Sequence, residues 1–80
     1  MRGDTKEIAQ HEALAEAAYD AMYDAQPHNV KDHYDDAALN FQRAIDMATA
    51  LGLTGDAERL TKRRDHVEAV YNHQFRYVGR

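Results

Sequence analysis

Val30-Lys31-Asp32-His33-Tyr34-Asp35-Asp36-Ala37-Ala38-Leu39-Asn40-Phe41-Gln42-Arg43-Ala44-Ile45-Asp46-Met47-Ala48-Thr49-Ala50-Leu51 carries the clearest periodicity in the chain. Val30, Tyr34, Ala37, Phe41, Ala44, Ile45, Ala48 and Leu51 recur every three or four residues, which lines them along one side of an α-helix of about six turns. Asn29 and Asp32 are candidate caps, because a short side-chain oxygen can accept a hydrogen bond from the free N–H groups of a first turn. At the other end Gly52 supplies the residue that most easily takes the left-handed conformation closing a helix.

Working outward toward the N-terminus, Pro27 disfavours helical geometry at Gln26 and removes a backbone donor, so Gln26-Pro27-His28-Asn29 reads as a break. Before it, Ile8, His11, Ala15, Ala18 and Met22 fall on one side of a helix, flanked by Leu14, Tyr19 and Ala25. Asp4 and Glu7 are spaced as a capping box, which predicts a start at that point. Toward the C-terminus, Thr54 with Asp56 and Glu58 suits the opening of a third helix, whose inner side would carry Leu60, Val67, Val70, Tyr71, Gln74 and Val78. The expected fold is all-α: a single domain over residues 1–80, with helices over about 5–25, 30–51 and 55–76 packed as an up-down-up antiparallel three-helix bundle.

Composition bounds the function. Eighty residues allow one modest core. The chain has no cysteine, which excludes disulfides, thiolate metal sites and cysteine nucleophiles and points to a cytoplasmic protein. No apolar run is long enough to span a membrane. The net charge of −4 is unevenly spread: residues 1–53 carry four basic and ten acidic side chains, whereas residues 54–80 carry six basic and four acidic ones. The third helix is therefore basic and the first two acidic.

Tyr34-x2-Ala37-x3-Phe41-x2-Ala44 resembles the second helix of a tetratricopeptide repeat, and residues 34–46 are also similar to the middle helix of the MIT family, a three-helix bundle. The likeness covers residues 34–53 and, more loosely, Ala15, Ala18 and Tyr19. Either resemblance implies a non-enzymatic scaffold that holds peptides or partner helices in grooves between its own helices.

The residues that could carry chemistry are five histidines, and their spacing argues against metal or acid–base work. No histidine has a Glu three residues before it and no His-Glu-x-x-His occurs, so neither a bundle di-metal site nor a zinc-protease motif is present. His11, the one histidine inside an apolar stripe, is expected to hydrogen-bond a neighbouring helix. Arg59 and His66 loosely match the Arg/His pair of HEPN ribonucleases, without that family's four-helix length. No catalytic residue, metal or cofactor is assigned. Seven apart on one helix, His66 and His73 share a face with Arg59, Lys62, Arg76 and Arg80, a basic ridge able to meet an anionic partner. Arg63 and Arg64 are expected to lay their stems over the core and reach acids on the first or second helix. Tyr19, Tyr23, Tyr71, Phe75 and Tyr77 are many aromatics for a core of this size, and Leu39 and Met47 lie off the main stripe, which predicts exposed apolar surface. The candidate interaction surface is thus Tyr19, Tyr23, Arg59, Lys62, His66, His73 and Arg76. The expected partner is a protein or peptide, with homodimer formation; the alternative is RNA or another polyanion on the basic third helix, which the acidic pI near 5.6 disfavours.

Overall fold

Gln26 is held extended (φ −61°, ψ 146°), the geometry that a following proline ring favours. The first helix, α1 (Arg2–Asp24), stops short of it; a 3-10 turn (Pro27–Asn29) reverses the chain and leads into α2 (Val30–Ala50). The Asn29 N–H closes that turn on the Gln26 carbonyl at 2.8 Å. A computed structural model describes residues 2–75 of the chain, with side chains from residue 5.

The second connection is shorter still. Gly52 takes φ +75°, its N–H bonds the Thr49 carbonyl at 3.0 Å, and the Leu53 N–H bonds the Ala48 carbonyl at 2.8 Å. This pair of bonds is a Schellman closure, which satisfies two carbonyls that a helix end otherwise leaves bare. The Leu53 carbonyl then accepts the Ala57 N–H at 2.9 Å, so one residue closes α2 and opens α3 (Thr54–Val70). Beyond α3 the backbone widens into a single π-helical turn, Tyr71–Phe75.

The element order confirms the all-α, up-down-up bundle, and among the described residues there is no strand. Several terminus expectations need correction. α1 begins at Arg2, so its start is not set by a cap at Asp4. The cap of α3 is Leu53 and not Thr54, and it makes no side-chain bond, because the backbone of the Schellman closure already organises this turn. Asn29 does occupy the N-cap position of α2, but it is itself near-helical (φ −101°, ψ −9°) at the end of the 3-10 turn and its side chain makes no capping bond; Asp32, the other candidate, lies within the first turn. The α-helical part of the third helix ends at Val70, and the expected end at position 76, like Val78, lies outside the described residues.

The stripes read from the sequence meet in one core. Phe41, Met22, Leu60 and Val67 are fully buried, one or more from each helix. Ala15, Ala37, Ala44 and Ala48 have no exposure, so the backbones approach closely and Phe41 fills the space that the small side chains leave. Burying a side chain of the size of Phe41 or Leu60 stabilises the fold by about 2–3 kcal/mol. Leu51 and Leu14 lie outside this core, both exposed. Tyr34 stacks on Tyr71 across the α2–α3 contact, with ring centroids 4.1 Å apart and planes 13° from parallel. Among the described residues no buried polar or charged side chain occurs, so polar chemistry is confined to the rims of the helix contacts.

Candidate functional site

Both α1 and α3 run antiparallel to α2 and are therefore parallel to each other, and their side chains meet at a constant offset. Glu12 pairs with Arg59 and Glu16 with Arg63, each 47 residues apart, and Tyr19 meets His66 at the same separation. The sequence contains this register: positions 12, 16 and 19 have the same four-then-three spacing as 59, 63 and 66. Residues so spaced share a helix face, so the two ladders mesh rung by rung.

The lower rungs are forked ion pairs. Arg59 donates from Nη1 to Glu12 Oε2 at 2.6 Å and from Nη2 to Oε1 at 3.2 Å, with Asp56 3.6 Å away on its own helix. Arg63 donates from Nε and Nη2 to the two Glu16 oxygens at 2.7 and 2.8 Å. Hydrogen bonding to Glu12 and to Glu16 raises the pKa of Arg59 and Arg63 respectively. Two parallel N–H···O bonds fix the plane of the guanidinium as well as its charge, which a single contact would not.

Above them the seam is aromatic. The Arg63 guanidinium lies 5.1 Å from the centre of the Tyr19 ring. Tyr19 presents edge-on contacts to His66 at 6.3 Å and to Tyr23 at 5.6 Å, and Tyr23 in turn meets Phe75 edge-on at 5.1 Å. The Tyr19 and Tyr23 hydroxyls share a hydrogen bond of 3.0 Å. That bond first, and burial second, push the Tyr19 hydroxyl up to about 12, against the pull of Arg63. Tyr19 is therefore a neutral structural ring at ordinary pH.

Of the residues expected at the surface, the structure gathers Tyr19, Tyr23, Arg59 and His66 along this seam. Tyr19 is buried, enclosed by Tyr23, His66 and Arg63, and offers no surface of its own. Tyr23 is half-exposed at 51%. Arg59 is turned onto Glu12, so the ridge expected on α3 is partly neutralised within the molecule. Lys62, His66 and His73 are exposed. His73 sits in the π turn, where the wider winding breaks the seven-residue spacing that shares a face in an uninterrupted α-helix. Arg76, Arg80 and Tyr77 lie outside the described residues.

The remaining polar groups behave as packing elements. His11 donates from Nδ1 to Asn40 Oδ1 at 3.0 Å, and the Asn40 amide donates to the Asp36 carbonyl at 2.9 Å, which fixes the direction of the first bond. This is the inter-helix contact expected of His11. Arg63 reaches an acid on α1 as expected, whereas Arg64 reaches Gln42 of α2 at 2.6 Å and finds its acid, Asp65, on its own helix. Among the described residues no three His, Asp or Glu side chains converge in a way that could hold a metal ion. No described helix is long and apolar enough to cross a membrane.

Glu12, Glu16 and Phe75 complete the seam; Phe75, one of the surplus aromatics, is partly buried there, and residue type alone does not mark the two acids, which only the matched spacing identifies. Comparison with protein-family models, with curated proteins and with solved structures finds no match to this chain.

Proposed function

We propose that this chain is a non-enzymatic helical interaction module that binds a peptide or a partner helix and self-associates. The observation that carries the reading is the exposure of four large apolar side chains, Leu14, Tyr23, Leu39 and Leu51, at 41–56% in a domain whose core is otherwise closed. Exposed apolar area of this kind is removed from water by association. The likeness of residues 34–53 to tetratricopeptide and MIT helices supports the same reading, and a cytoplasmic location goes with it.

Polyanion binding has less support. Arg59, Arg63 and Arg64 are each engaged by Glu12, Glu16 or Gln42, which leaves Lys62 as the described α3 cation without an acidic partner. Sedimentation of the purified chain over a wide concentration range tests the proposal: it expects a mass rising above the 9.1 kDa of one chain. A mass fixed at one chain throughout, together with salt-sensitive RNA binding that Arg59→Glu, Lys62→Glu and Arg76→Glu abolish, would replace it with the polyanion reading.

A further inference from the structure

We infer that the outward face of α1 is the surface through which two copies of this chain pair, antiparallel and about a two-fold axis near Ala15 and Glu16. The inference rests on the self-association proposed above and adds its surface and geometry.

α1 has two faces. The inner one, through Ile8, Ala15, Tyr19 and Met22, is spent on the core. On the outer one, Gln10, Leu14, Ala17 and Ala21 are spaced by four, three and four residues, the interval at which side chains line the seam between two paired helices. Leu14, at 56%, is the most exposed of the described large apolar residues, and Gln10 and Ala17 are exposed with it. The two alanines that follow Leu14 on the stripe allow a second helix to come within about 8 Å, where Leu14 can insert between turns.

Charge selects the occupant and its direction. Lys6 extends the stripe at one end, four residues before Gln10, and Asp24 extends it at the other, three residues after Ala21. Both are exposed, and neither takes part in an ion pair among the described residues. The four stripe positions between them are uncharged, with the exposed Glu7 and Asp20 on the flanks. Laid antiparallel on its own copy about that axis, the stripe sets Leu14 against Ala17 and Gln10 against Ala21, and brings Lys6 within one residue's rise of Asp24 on the same edge of the stripe, with Glu7 level with Asp24 on the opposite edge; the symmetry makes each contact twice. Laid parallel, it would set Lys6 against Lys6 and Asp24 against Asp24. Self-complementarity in shape and in charge thus coincides in one arrangement.

One helix pair covers less area than a standard stable interface, so the dimer is expected to be weak, with dissociation constants on the order of 10–100 µM. The test is a charge swap read by sedimentation equilibrium on the full chain. Lys6→Glu or Asp24→Lys alone should weaken the dimer about tenfold, since each variant turns two attractions into two repulsions. The double variant, carrying both, should restore it, and Leu14→Glu should abolish dimers while the helical circular dichroism of the monomer is unchanged. Since the chain has no cysteine, Leu14→Cys mixed with Ala17→Cys should also form an oxidised heterodimer, and Leu39→Cys mixed with Ala17→Cys should not. Failure of the double variant to restore association, or self-association indifferent to Leu14→Glu, overturns the surface and leaves self-association standing. A chain that is monomeric at millimolar concentration overturns both.

Discussion

A single hydroxyl pair shows how the burial of one residue sets its chemistry. Tyr19 sits inside the α1–α3 seam with its hydroxyl on Tyr23, and its pKa of about 12 means that the folded state holds the phenolic proton more tightly than an unfolded chain, where tyrosine titrates near 10. The stabilisation this implies is fully present below about pH 10 and is lost as pH rises from there toward 12. Tyr34, raised by burial, contributes in the same direction. The expected outcome is a fall of the urea midpoint in that window, with Tyr23→Phe separating the two tyrosines. Removing the Tyr23 hydroxyl takes away the largest cause of the Tyr19 shift, so ultraviolet difference absorption should show one phenol moving back toward 10, and the alkaline loss of stability should shrink. An unchanged titration in Tyr23→Phe would mean that burial alone holds the Tyr19 proton. None of this is visible from the residue type: Tyr19 in the sequence is a ring at the edge of an apolar stripe, and only the approach of α3, with His66 and Arg63, encloses it.

At the scale of elements, the connection from α2 to α3 rests on Gly52. A Cβ built there meets nothing within 4 Å, so substitution meets no steric clash and acts only through the backbone, which holds φ at +75°. Gly52→Ala is expected to cost about 1–2 kcal/mol, and Gly52→Asn less, because asparagine visits the left-handed region more easily. Thermal denaturation of the two variants beside the parent measures both, and an alanine variant as stable as the parent would show that the closure can be remade without a left-handed residue. This glycine was legible in the sequence, as was α2, where twenty-one residues keep an uninterrupted apolar stripe. The other signals at helix ends were not. Asn29 and Thr54 are residue types that cap helices, but a 3-10 turn and a Schellman closure organise those helix starts through the backbone first, and local propensity yields to the turn already formed; Asp4 lies inside α1, which begins at Arg2. The π turn was illegible for a different reason. No residue pattern in Tyr71-Asn72-His73-Gln74-Phe75 separates it from an α-helical turn, and it coincides with two tertiary contacts on different helices, Tyr71 on Tyr34 and Phe75 on Tyr23.

For the molecule as a whole, the uneven charge read from composition has an internal use. The acidic first helix and the basic third are joined by the Glu12–Arg59 and Glu16–Arg63 forks, so much of what looked like a docking ridge on α3 is the molecule holding its own parallel helices in register. Ion pairs exposed to this degree are each worth under about 1 kcal/mol, and the cohesion of the third helix comes mainly from Leu60 and Val67, fully buried in the core that also holds Phe41. The hairpin of α1 and α2 alone would leave that side of its core in water and would carry a net charge of −6 over residues 1–53, with no basic helix to offset it. A chain ending at Leu53 is therefore expected to lose cooperative thermal unfolding and most of its helical circular dichroism, since helices of about twenty residues depend on packing more than on their own propensity. Raising the salt concentration should recover part of the helical signal by screening the acids, but not the cooperative transition, because salt cannot replace the buried Leu60 and Val67. If the shortened chain still melted in one sharp step, α3 would be an appendage to a self-sufficient hairpin, and the core shared by all three helices would not be what holds the fold together.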